Sequence, residues 1–238
     1  MGELKPIKIV NALRTAFKNR PWLIAFTALG GMEILVLLWG LLTNHGFGRR
    51  YLLLAASTTF ILAAIAGGAL SILYGRLIAL ALVFCWLGDY AGSYIFLLSI
   101  ASFLAAHLAL IAAFFLHGVE RQRLFKALAV FVPISVGIFL WLNPYLTEVF
   151  YYPVIAYIVV ITIMASCAFG ARPSPVAAIL VWGACLFYIS DIFVARARFV
   201  SPGVVNSIGC YPLYYSACFL FAISPAACRN QDPTISEP

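Results

Sequence analysis

The chain has 238 residues, of which 64% are hydrophobic and 10% charged, with a net charge of +7 and a mean hydropathy of +1.03. A water-soluble domain carries about 25% charged residues, and no fold of this length could hide so much apolar surface behind a water-facing shell. The solvent is lipid. The fold class that follows is all-α, a polytopic membrane helix bundle, because the apolar runs are continuous and do not alternate as barrel strands do.

In chain order, residues 1–20 form a basic segment with no apolar stretch long enough for a cleavable signal peptide. Ile7, Val10, Leu13 and Phe17 recur at helical spacing, with Lys8, Arg14 and Lys18 elsewhere on the wheel. That pattern reads either as a basic amphipathic helix lying on the inner leaflet or as a loose basic tail. A spanning helix needs roughly 20 apolar residues. Residues 21–226 divide into eight runs of about that length: 21–42, 51–71, 76–89, 94–117, 124–142, 150–169, 174–195 and 204–224. The third run is short, and its join to the fourth, GDYAGS, is the least defined. Residues 227–238 form a polar tail, which reads as disordered.

With eight spans both termini share a side. Eleven Lys and Arg residues fall on that side and four, Arg49, Arg50, Arg196 and Arg198, on the other. The asymmetry predicts cytoplasmic termini in a bacterial inner membrane or its equivalent. These cations are short juxtamembrane clusters with no folded basic domain, so they do not read as nucleic-acid binding. Cys85, Cys167, Cys185, Cys210 and Cys218 lie in or beside apolar runs without CxxC spacing and read as small packing residues. Gly30–Gly31 and Gly67–Gly68 read as points of close helix contact.

Three acids fall inside the predicted spans: Glu33, Asp89 and Asp191. A carboxylate near the bilayer centre costs about 2.5–3.5 kcal/mol on insertion scales, and no Lys or Arg lies deep in any run to neutralise it. Asp89 lies thirteen residues beyond Arg76 and Asp191 nineteen beyond Arg172, so both reach the middle-to-outer half of the bilayer. Two readings follow. Each Asp could satisfy a helix end near the interface. Alternatively, the two carboxyls face one cavity, one as a protonated acid and the other as an ionised base. His107 is the histidine well inside a run; alone it reads as a hydrogen-bonded packing residue. A zinc site needs three or four ligands. His45 and His117 lie near opposite ends of spans, and no HxxxH or HxxE pattern exists, which argues against a zinc-dependent membrane amidase of the ceramidase kind. Glu33 has no motif around it. Ser190, Tyr188, Tyr214 and Tyr215 could supply hydroxyls to a polar cavity. There is no GxSxG elbow, no phosphate-binding glycine loop and no signature of a cofactor.

The stretch LGDYAGSYIFLLSIASFLAAHLALIAAFF resembles the signature of the YhhN-like lysoplasmalogenase family, a GD followed by a helix with an F–x–x–A–H pattern. The residues concerned are Gly88, Asp89, Phe103, Ala106 and His107. A second signature, GA–x–x–F–x–x–SD, stands as Gly183, Ala184, Phe187, Ser190 and Asp191, and a third, weaker one as the Tyr214–Tyr215 pair. Two positions depart from the family's pattern. Leu110 stands where a Tyr is usual and Cys218 where a Gln is usual, changes that remove polar groups from the expected pocket and bear on substrate more than on fold. The loop after GD also looks shorter than usual.

The resemblance implies about eight spans and hydrolysis of the vinyl ether bond of a single-chain ether lysophospholipid, giving a fatty aldehyde and a glycerophospho-alcohol. It implies Asp89 and Asp191 as an acid/base pair whose individual roles stay open, with His107 orienting one of them or the water and no cofactor. Arg196 and Arg198, one turn beyond Asp191, could meet the headgroup or serve as ordinary interfacial anchors. Two rivals stand beside this reading: a hydrolase of another lysolipid, and a lipid or small-molecule transporter using the acids as a proton relay.

Overall fold

A computed structural model describes residues 6–43 and 48–229. His45, Lys5 and the tail from residue 230 lie outside the described residues, as do the side chains of Ile7 and Lys8. Nine α-helices are described: α1 (Pro6–Phe17), α2 (Pro21–Leu42), α3 (Arg49–Ala66), α4 (Leu73–Gly92), α5 (Phe96–His117), α6 (Arg121–Leu142), α7 (Glu148–Gly170), α8 (Pro175–Ala195) and α9 (Val204–Arg229). Eight of them, α2 to α9, are long and apolar enough to cross a membrane. The chain is an all-α polytopic bundle, and short turns make successive helices antiparallel.

The physical reason for the bundle lies in its small residues. Lipid tails are as apolar as leucine, so helices associate by close packing rather than by expulsion from water. The buried positions are accordingly rich in alanine, including Ala56, Ala63, Ala106, Ala113, Ala165, Ala184 and Ala222, while Trp22, Leu35, Val130, Leu140 and Tyr152 face outward. Gly30 lets the Phe219 ring of α9 press against α2, where a Cβ would come within 1.8 Å of it. Gly68 serves a turn instead, at φ +82°.

Several boundaries differ from the sequence expectation. The GD pair does not end its helix: α4 continues through Asp89 to Gly92, and Ser99 of α5 donates to the Gly88 carbonyl at 2.8 Å. The run 51–71 closes at Ala66, after which the turn through Gly67 and Gly68 leads into a short 3₁₀ segment, Ala69–Ser71. Beyond Ala195, α8 widens into a single π-helical turn, Arg196–Val200. The basic N-terminal segment is helical, as its periodicity suggests. It packs on α8 and α9, with Ala16 fully buried and Val10 exposed.

Candidate active site

At the end of the bundle opposite α1, a cavity of about 430 Å³ opens among α3 to α9. That volume lies in the usual range for small-molecule sites, about 300–1,000 Å³. Asp89 of α4 and Asp191 of α8 both line it. These two helices run the same way through the bundle, and each carries its Asp near its C-terminal end. Comparable depth along the two helices therefore brings both to the same cavity.

Asp89 is held by hydroxyls. Tyr214 of α9 donates to its Oδ2 at 2.9 Å, and Ser57 of α3 donates to the same oxygen. The Ser57 hydroxyl also lies 2.9 Å from the Leu53 carbonyl, which accepts from Tyr215 at 2.9 Å as well. Two hydroxyls from separate helices thus fix the position of one Asp89 oxygen.

Asp191 has different neighbours. Tyr157 of α7 donates to its Oδ2 at 2.7 Å, and His107 Nε2 lies 4.0 Å away. The His107 Nδ1 atom sits 2.6 Å from the Phe103 carbonyl. A carbonyl only accepts, so Nδ1 carries a hydrogen, and in the neutral ring Nε2 is a bare acceptor. Nε2 is buried with no hydrogen-bond partner and faces Asp191. One carboxyl thus meets donors alone, whereas the other lies between a donor and an acceptor.

The sequence signatures interlock around this arrangement. The Phe103 ring lies against Gly88, where any Cβ would come within 2.6 Å of it. Phe187 packs edge-on against His107, with centroids 4.8 Å apart, and against Tyr214, at 5.4 Å. Phe103 meets Tyr214 at 5.7 Å. The GD, FxxAH, GAxxF and YY residues therefore form one aromatic frame that fixes His107 and Tyr214 beside the two carboxyls.

Other expected residues fall elsewhere. Tyr188 lines the cavity, but its hydrogen is committed. Thr162 donates to the Ile158 carbonyl at 2.6 Å, so Ser135 donates to Thr162 at 2.5 Å and Tyr188 to Ser135 at 2.6 Å. Ser190 is fully buried, donates to the Phe187 carbonyl at 2.7 Å and does not line the cavity. Tyr215 sits behind Ser57. Glu33 accepts from Thr59 at 3.2 Å, away from the cavity. Leu110 and Cys218, the two departures from the family pattern, are buried in the core and line no part of the cavity. Ser57 and Tyr157 escaped the sequence reading, since a lone hydroxyl in an apolar run carries no local signal of its partner.

Among the described residues no three His, Cys, Asp or Glu side chains converge as metal ligands. Comparison with curated proteins and with solved structures gives no match. The profile of the YhhN family matches residues 50–224, a stretch that takes in every residue lining the cavity. By that match, which covers well over half of its length, the chain belongs to the YhhN family.

Proposed function

We propose that this membrane protein hydrolyses the vinyl ether bond of a single-chain ether lysophospholipid, releasing a fatty aldehyde and a glycerophospho-alcohol. One observation carries the reading: two carboxyls from separate helices line a single cavity within the membrane-spanning bundle. The resemblance of the GD, FxxAH and GAxxFxxSD residues to lysoplasmalogenases supports it. The charge asymmetry of the loops favours cytoplasmic termini, which puts the cavity mouth on the outer side.

A vinyl ether is activated by protonation of its β-carbon. Asp191, the carboxyl with an acceptor beside it, is suited to hold that proton. It passes the proton to carbon, the double-bond electrons form the new C–H bond, and the ether oxygen shares the resulting cation. Tyr157 steadies the Asp191 carboxylate that remains. Asp89, held by Ser57 and Tyr214, acts as the carboxylate of the pair: it stabilises the cation and takes a proton from the attacking water. The hemiacetal then collapses. The ether oxygen leaves with the proton held by Asp89, and the hemiacetal hydroxyl returns its proton to Asp191. Water is consumed, and both carboxyls regain their starting states.

The test is product analysis on a panel of lysolipids with the purified full chain. An alkenyl lysophospholipid should yield aldehyde, carrying one deuterium at its second carbon when the reaction runs in D₂O. An acyl lysophospholipid should yield no fatty acid. Fatty acid without aldehyde would move the assignment to another lysolipid hydrolase, and ion-coupled uptake into vesicles without either product would move it to transport.

A further inference from the structure

Charged side chains are few around the cavity: Asp89, Asp191 and, at the mouth, Arg198. Two aromatic rings, Phe96 and Phe150, lie against Arg198. Its guanidinium carbon lies 4.5 Å from the Phe96 ring centroid and 5.9 Å from that of Phe150. Phe96, Phe150 and Phe199 pack on one another, with centroids 5.6–5.9 Å apart. The cation is thus positioned by cation–π contacts, which use its faces and leave its N–H edges open. It makes no hydrogen bond or ion pair with the described residues.

Arg196, two residues earlier, is different. It donates to Asn206 Oδ1 at 2.6 Å, and Asn206 Nδ2 donates to the Ser201 carbonyl at 2.8 Å, so its charge closes the turn. Arg50 lies over Tyr94 at 4.1 Å and does not line the cavity.

We propose that Arg198 is the anion-binding subsite of this cavity and that it takes the phosphate of a single-chain lipid whose reactive end lies between Asp89 and Asp191. The subsite rests on the hydrolase reading only for what happens at the reactive end. Arg198 follows Asp191 by seven residues, roughly 10 Å along the helix at 1.5 Å per residue, a span that a glycerol backbone and the arginine side chain bridge together. A guanidinium with free edges grips phosphate through two parallel hydrogen bonds. No third carboxylate lines the cavity to pair with an amine, so the phosphate is the charged group that the cavity reads.

The experiment is equilibrium competition against a spin-labelled acyl lysophospholipid bound to the full chain in detergent, with no turnover required. A lysophospholipid should compete about tenfold or more better than the matched monoacylglycerol, and choline and ethanolamine headgroups should compete equally. Arg198→Gln should erase the phosphate preference, and Arg198→Lys should restore part of it. Retention of the preference in a folded Arg198→Gln variant would overturn the proposal, as would a strong preference for one amine headgroup. If the preference follows Arg198 while no alkenyl lipid yields aldehyde, the subsite stands and the hydrolase reading falls. If aldehyde is released equally from lipids with and without phosphate, the hydrolase reading stands and the subsite falls.

Discussion

Removing one oxygen from Tyr157 separates the two carboxyls. Tyr157→Phe keeps the ring that packs edge-on against His107, with centroids 5.2 Å apart, and deletes the hydroxyl that donates to Asp191 at 2.7 Å. No other hydrogen bond to Asp191 is described, so the loss is not shared. A hydrogen bond to a charged group contributes about 1.5–3 kcal/mol. In the proposed reaction Asp191 becomes charged as it gives up its proton, so the loss falls on the transition state. At about 1.4 kcal/mol per decade, aldehyde release should drop by about tenfold to a hundredfold. Tyr214→Phe removes one of two donors to Asp89 and leaves Ser57 in place, so its effect should be smaller. The assay is aldehyde release by purified variants whose melting temperatures match the parent. Wild-type turnover in a folded Tyr157→Phe protein, or a Tyr214→Phe defect exceeding it, would refute the division of roles.

Further outcomes follow from the packing. Gly88→Ala drives a methyl group into the Phe103 ring at 2.6 Å and should lower stability by about 1–3 kcal/mol, whereas Gly137→Ala, with nothing within 4 Å, should be close to neutral; thermal unfolding in detergent compares the two. Tyr188→Phe breaks the chain of hydroxyls through Ser135 and Thr162 and should cost about 1 kcal/mol, yet aldehyde release should stay within a few-fold of the parent because that hydrogen never reaches the substrate. His107→Phe fills the same aromatic niche without the bare Nε2, so it should fold and lose activity by about tenfold or more; equal activity would remove His107 from the proton path.

The spans were legible because a bilayer imposes one requirement, about 20 apolar residues, that composition alone displays. Asp89 and Asp191 were legible for the converse reason, since a carboxylate stands out where solvation is poor. What holds them was not legible. Ser57 and Asp89 lie 32 residues apart, and Tyr157 and Asp191 34 apart, on helices that only tertiary packing brings together. Ser190 misled because it precedes an aspartate in a signature yet turns back to its own helix. Leu110 and Cys218, the two departures from the family's pattern, are both buried in the core. Arg196 and Arg198 were indistinguishable in sequence, and the π-helical turn separates one that closes a loop from one that faces the cavity.

The most direct test of the central claim is aldehyde release from an alkenyl lysophospholipid by the parent protein beside Asp89→Asn and Asp191→Asn. Both substitutions keep side-chain size and remove the ability to carry charge or pass a proton. The expected result is aldehyde from the parent and a fall of about 10²-fold or more in each folded variant. Full activity in either variant would contradict a catalytic pair, and the shared cavity would then serve some purpose other than this hydrolysis.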